Sequence, residues 1–202
     1  MTVSAAATTA GAAVLDQLLP RLTTDERGAH LESVAVALGA LAGRACQGAV
    51  LSGVEPAYSD LSLTIVTAAN GEQYYFGDAI NAPLAESEDS VWEIVSVAAT
   101  RLGGSLPDRD ELFANAAATV GTAGFGVPRY ATDTFSEPPR SFLPLWDEFL
   151  PTVSKDTRPD EYLRVYATAL ADLFTMVAGQ FPLEPLVRIA MDSAIAMSKL
   201  IL

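Results

Sequence analysis

Residues 61–80 read LSLTIVTAANGEQYYFGDAI, and the reading of this stretch decides the fold. Asn70-Gly71 sits between two runs rich in β-branched and aromatic residues. A two-residue type I′ turn needs positive φ at both central positions, which Asn and Gly tolerate at little cost. The stretch is therefore expected to be a β-hairpin. Such a loop sets Ala69 opposite Glu72, Thr67 opposite Tyr74, Ile65 opposite Phe76, Leu63 opposite Asp78 and Leu61 opposite Ile80. Alternate residues share a face, so Leu61, Leu63, Ile65, Tyr74, Phe76 and Ile80 would form the buried one, with Asp78 in its middle. A carboxylate there must find hydrogen bonds, a cation or a proton, which makes Asp78 the most informative acid of the chain. The simpler reading has Gly77 form a bulge that turns Asp78 outward, or has Asp78 start the next segment. A lone two-stranded hairpin is marginal, so it must pack on helices or pair its edge with more strand, including that of a second copy.

On both sides of the hairpin the apolar spacing is helical. Residues 1–12 lack a basic n-region, are rich in Ala and Thr, and read as a disordered lead-in rather than a signal peptide. Val14, Leu15, Leu18, Leu19 and Leu22 then suit a short amphipathic helix that Pro20 ends or bends. Thr23-Thr24-Asp25-Glu26 has the form of a capping box and predicts a helix over 25–50. On it Ala35, Gly39 and Gly43 recur every four residues, a spacing that lets a second backbone approach closely. The hairpin or the last helix is expected against that seam.

Downstream, apolar periodicity predicts helices over 89–102, 107–120 and 142–150, and another opened by Arg158-Pro159-Asp160-Glu161. The last helix, 183–200, is apolar nearly all round, a pattern that points to deep burial and, at a chain end, to a partner subunit. The fold class is thus α+β, mainly helical with about six to seven helices, one hairpin over 61–80 and room for a third short strand near 129–135. The length and the 50% hydrophobic content suit a single domain over 1–202.

Charge and composition exclude several functions. The net charge is −13 with only 12 Lys plus Arg and no basic run, so neither nucleic acid nor an anionic membrane surface is an expected partner. The longest uncharged helical run, Ser33–Gly43, is far below the ~20 residues that span a bilayer. One cysteine, Cys46, forms no disulfide framework, and a cytoplasmic setting is expected. The single histidine, His30, lies roughly 24 Å from Cys46 along a continuous helix, too far for a dyad. No Gly-x-Ser-x-Gly elbow, calcium loop or phosphate loop appears, so no cofactor or metal is expected and catalysis is not the favoured reading.

The segment 121–141 lacks helical periodicity and carries Arg129 and Arg140, scarce cations in an acidic chain, beside Phe125, Tyr130 and Phe135. Long irregular segments often carry function. A pocket beneath it could gather Asp78, Arg129, Tyr130 and Arg140 around a small anion or carboxylate, with Tyr74 or Trp92 as an apolar wall. The simpler reading has one arginine pair with Asp78, Asp133 or Glu137 and pin the loop. The favoured function is a non-catalytic interaction or binding module acting as a homodimer. The pocket, as an anion-binding site or enzyme, is the alternative, and an acidic protein neutralising a basic protein partner comes third.

Overall fold

The computed structural model describes residues 3–25, 28–53, 56–129 and 138–201. Helix α1 (Ala5–Leu18) starts at Ser4, whose hydroxyl accepts a hydrogen bond from the Ala7 amide. The expected disordered lead-in is therefore helical from Ala5 onward. The reason is tertiary: Ala7, Ala10, Gly11, Val14, Leu15 and Leu18 bury a face against α7 (Tyr162–Val177). A Cβ at Gly11 would lie 2.4 Å from Thr168 Oγ1, so the two helices nearly touch. Pro20 sits in a 3-10 turn that follows α1.

Residues 23–25 form a strand rather than a helix start, and Glu26, the other end of the expected capping box, lies outside the described residues. Thr23–Asp25 (β1) pairs antiparallel with Gly28–Ala29 (β2), and α2 (Leu31–Leu51) begins later than its spacing predicts. His30 is its N-cap: the ring Nδ1 accepts from the Ser33 amide at 3.4 Å. Among the described residues α2 alone is long and apolar enough to cross a membrane, but most of it is buried inside the fold. It is the central helix, flanked by α7 and by α8 (Leu183–Lys199). The small-residue seam meets α8: a Cβ on Gly39 or Gly43 would stand 2.2 Å from the Ala190 or Ala194 carbonyl oxygen. Gln47 closes the far end of the seam by donating to the carbonyls of Ser198 (3.3 Å) and Leu200 (2.7 Å). Helix α8 is buried nearly all round by the chain's own elements, so its apolar surface calls for no second subunit.

The hairpin is present, but its register differs by one residue from the expected one. Strand β3 (Thr64–Thr67) pairs with β4 (Gln73–Phe76) as Thr64–Phe76, Ile65–Tyr75, Val66–Tyr74 and Thr67–Gln73. The loop has three residues rather than two. Gly71 N–H donates to Ala68 O, Ala68 N–H donates to Glu72 O, and Gly71 lies at φ +85°. Asn70 selects this turn, because its Oδ1 accepts from the Glu72 amide at 3.0 Å. A one-residue slip turns every side chain of a strand to the other face. Leu61, Leu63 and Ile65 consequently face solvent, while Tyr74 is buried.

Asp78 does not lie on a buried face, and the simpler reading, in which it starts the next segment, holds. It is exposed and opens a four-residue helical turn, α3 (Asp78–Asn81); the Ser62 hydroxyl accepts from its amide at 3.2 Å and donates to its carboxylate at 3.3 Å. A π-helical turn follows over Ala82–Glu86. Helix α4 (Val91–Arg101) is capped by Ser90 and α5 (Arg109–Thr119) by Asp108, which places Pro107 just outside α5. A 3-10 turn over Pro139–Phe142 leads into α6 (Leu145–Val153).

The fold is mainly helical α+β. Seven helices of nine residues or more lie among the described residues, about one extended apolar cluster. The expected third strand falls mostly outside the described residues, and Arg129 itself is not in a strand. Residues Leu200 and Ile201 continue past α8 along β4: Tyr74 and Leu200 form an antiparallel bridge, and Ile201 N–H donates to Gln73 O at 3.3 Å. The β4 edge of the hairpin is thereby partly covered, and among the described residues no strand pairs with the β3 edge.

Candidate functional site

A depression of about 190 Å³ lies between the hairpin, the start of the 121–141 segment and the end of α8. Phe125, Met197, Leu200, Pro138 and Pro139 give it apolar walls, and Glu72, Tyr74, Thr122 and Arg140 supply polar groups. Tyr74 stands on the inner face of β4, two residues from Glu72, so both point to one side. The Tyr74 hydroxyl donates to Glu72 Oε2 at 2.6 Å, and Asn70 Nδ2 donates to the same oxygen at 2.9 Å. The Arg140 guanidinium lies 3.5 Å from Glu72 Oε1. The Tyr74 ring meets Phe125 edge-on at 4.8 Å. Burial, reinforced by the Glu72 carboxylate, holds the Tyr74 hydroxyl above its ordinary value. Hydrogen bonds from Tyr74 and Asn70, with the nearby Arg140, hold the Glu72 carboxyl below its own. The result is an anion and a cation side by side at the rim of a small apolar hollow.

Of the six residues expected to form a site, the fold brings Tyr74 and Arg140 together here. Glu72, which joins them, was not anticipated; its only trace in the sequence is the i, i+2 relation to Tyr74 on a strand. Tyr130 lies outside the described residues. Asp78 is engaged with Ser62. Trp92 is half-buried and borders a different, acidic depression with Glu86, Glu88, Glu93 and Arg109.

Arg129 belongs to an ion-pair chain. Its backbone N–H, Nε and Nη2 donate to the Asp192 carboxylate at 3.2, 3.4 and 3.3 Å, and Nη1 reaches Glu111. Glu111 also accepts from Arg188 at 2.8 Å, and Arg188 pairs with Glu184 at 3.0 Å. The partners expected for a loop-pinning arginine were Asp78, Asp133 or Glu137. The fold supplies Asp192 from α8 instead, which pins the middle of the 121–141 segment to that helix.

Asp192 is nearly inaccessible. Burial pushes its carboxyl above the ordinary range, while the Arg129 donors pull it back. Arg129→Ala is expected to lower unfolding free energy at neutral pH by about 2 kcal/mol, because it strands a buried carboxylate. A carboxyl raised above its unfolded value costs stability once ionised, so that cost fades as pH falls through the folded value. Urea titrations of wild type and variant should therefore converge in acid.

Lys199, in the last turn of α8, is a further buried charge that the sequence did not single out. It is 3% exposed, donates to Asn81 Oδ1 at 3.1 Å, and stands over the rings of Phe76 (4.7 Å) and Phe113 (5.8 Å). Burial pulls its ammonium from 10.5 down to about 8, with Glu86 acting in the other direction. Cys46 is fully buried, and burial pushes its thiol up, away from the thiolate that reactivity needs. Among the described residues no group of three His, Cys, Asp or Glu side chains gathers where it could hold a metal ion.

A different kind of feature is the outer edge of β3. Nine large apolar side chains are exposed among the described residues, and four of them, Leu61, Leu63, Ile65 and Val66, fall within six consecutive positions. The concentration is what distinguishes them, since scattered exposed apolar residues are ordinary. Within this mainly helical α+β class, the chain matches no protein-family model, no curated protein and no solved structure.

Proposed function

We propose that this protein is a non-catalytic interaction module that docks a protein partner by strand addition along the open edge of β3. The observation that supports it is the exposed apolar run Leu61, Leu63, Ile65 and Val66, which leads into and along β3, a strand that among the described residues pairs with β4 alone. The other two expected sources of an interface are engaged inside the chain: the Gly39/Gly43 seam lies on α8, and α8 is covered on all sides. Strand addition supplies backbone hydrogen bonds for affinity, and alternate side chains give selectivity. Ile65→Lys tests this reading. Ile65 is 55% exposed, so the variant should still fold, with the circular dichroism spectrum of the wild type. In native mass spectrometry of protein purified gently from its own cells, the wild type should carry additional polypeptide mass that the variant lacks. A wild type that flies as a bare chain overturns the reading.

A second reading is supported by the convergence of Tyr74, Glu72 and Arg140. The rim pair suits a small zwitterion or carboxylate whose acid group meets Arg140 and whose apolar part enters the hollow. Against it, the hollow of about 190 Å³ falls short of the ~300 Å³ at which ligand pockets usually begin. Calorimetric titration with short carboxylic and amino acids is expected to give heat that Arg140→Ala abolishes. Absence of heat with the wild type removes this reading.

A further inference from the structure

Edge strands that face water are commonly blunted by lysine, proline, a bulge or a covering loop. Residues 61–69, LSLTIVTAA, contain no charge and no proline. The direction of the backbone groups follows from the ladder. Ala68 N–H donates to Glu72 O across the hairpin, so by alternation Val66 and Thr64 also turn their backbone toward β4. Leu63, Ile65 and Thr67 turn theirs outward. The open edge thus offers a row of unpaired donors and acceptors beside an apolar, β-branched surface.

We propose that this edge is covered by the same edge of a second copy, in an antiparallel two-fold pairing centred on Ile65. The proposal rests on the strand-docking reading and names its occupant. A two-fold axis through Ile65 places that residue opposite itself, Leu63 opposite Thr67, and Thr64 opposite Val66. The first two are the hydrogen-bonded kind of pair, which is what the outward backbone groups of Leu63, Ile65 and Thr67 require. Thr64 and Val66 fall in the closer, non-bonded pairs, where β-branched side chains pack well. The outer face then carries a continuous row of Leu63, Ile65, Ile65 and Leu63 across the seam. Two marginal hairpins become one four-stranded sheet, and sheets of three or more strands with an apolar face are stable where a lone hairpin is not.

Charge speaks against a basic occupant at this edge. Each chain carries −13, so two copies repel at long range. The seam is the place where they can approach, because no charge lies between Asp60 and Glu72 in sequence. A basic partner recruited by the acidity would want carboxylates along the strand, and nine consecutive residues offer none. The two occupants differ in their response to salt. Screening weakens repulsion between like chains and should tighten the self-pairing, whereas it loosens a basic partner.

The experiment is sedimentation equilibrium of the purified full chain at low and high salt, paired with amide hydrogen exchange. The wild type is expected to dimerise, more tightly at high salt, with the Leu63, Ile65 and Thr67 amides protected in the dimer. Ile65→Lys sets two like charges opposite each other and should weaken association at least ~10-fold. The same three amides should then exchange freely, while Thr64 and Val66 stay protected by the intact hairpin. Thr67→Pro is the second variant: it removes an outward donor without removing a backbone bond to β4, losing there only the side-chain bond from Gln73 Nε2 to Thr67 Oγ1 (3.4 Å), and should also give a monomer. A dimer that survives both variants, or one whose outward amides exchange as fast as a monomer's, overturns the self-pairing. A wild type that is monomeric at the highest concentration reached overturns it too. In that case foreign polypeptide mass on protein from its own cells, lost in Ile65→Lys, would keep the strand-docking reading with another occupant. Bare chains in both preparations would remove both.

Discussion

Gly43→Ala is expected to destabilise the protein by about 4 kcal/mol, beyond the usual range for overpacking. The direction runs against helix propensity, since alanine in place of a helical glycine ordinarily adds about 1 kcal/mol. At Gly43 the added Cβ would stand 2.2 Å from the Ala194 carbonyl oxygen and 2.9 Å from both the Ala194 carbonyl carbon and the Ser198 amide nitrogen. All three are backbone atoms, so no rotamer change relieves the contact. Helices α2 and α8 must separate, which loosens the layer that carries most of the core and lifts Gln47 from the carbonyls of Ser198 and Leu200. Gly39→Ala should behave alike, with the Ala190 carbonyl oxygen at the same 2.2 Å. Gly48 in the same helix is the control: nothing lies within 4 Å of its Cβ direction, and Gly48→Ala should stabilise by roughly 0.5–1 kcal/mol. Urea denaturation of the three variants measures the contrast. Equal midpoints for Gly43→Ala and Gly48→Ala would show that the seam is not closely packed.

Lys199→Met is expected to raise stability at neutral pH and to remove a pH dependence. The ammonium is a base whose folded value, about 8, lies below its ordinary 10.5. Between those values the unfolded chain binds more protons than the folded one, so stability rises as pH rises through the window. Below about 8 the cost of holding the charge in the interior is complete, on the order of 3 kcal/mol. Methionine keeps the length of the side chain and fills the space beside Phe76 and Phe113 without a charge. It forfeits the hydrogen bond to Asn81, about 1 kcal/mol, and the ring contacts with the cation. The net gain near pH 7 should be about 1–2 kcal/mol, falling as pH approaches 10.5. Only the difference between the two proteins is informative there, because other groups titrate as well; burial holds the Tyr58 hydroxyl up at about 12. A variant that loses stability at neutral pH would show that Lys199 is held by more than Asn81 and two rings.

The parts of this fold legible in the sequence are those fixed by local chemistry. The helices after 89 and 107 are legible from their apolar spacing and acidic first turns, although their caps fall at Ser90 and Asp108, and glycines four residues apart on α2 announce the approach of α8. The hairpin itself is legible from Asn70-Gly71, but its register is not. The same dipeptide serves a two-residue and a three-residue loop, and the choice falls to one side-chain hydrogen bond from the Glu72 amide to Asn70. That single bond decides whether Leu63 and Ile65 are core or surface. Helix α1 escaped because its first residues carry no amphipathic pattern; its helicity depends on docking against α7, which no local window contains. The site suffers from the same limit. Arg129 and Asp192 are 63 positions apart, and Lys199 is ordinary until Phe76, Asn81 and Phe113 close around it. Tyr74 and Arg140 were the tractable pair, since the hairpin and the long loop had to meet somewhere.

The two edges of the hairpin are not equivalent, and this sets how far assembly can proceed. Leu200 and Ile201 cover β4 at Tyr74 and Gln73, while among the described residues no strand pairs with the outer edge of β3. A subunit with two open edges adds neighbours without end and becomes a filament; one with a single open edge has a valence of one. The proposed two-fold pairing through β3 would use up that valence. In the proposed pairing Leu200 and Ile201 would therefore act as a terminator, limiting a sticky, uncharged strand to a closed pair.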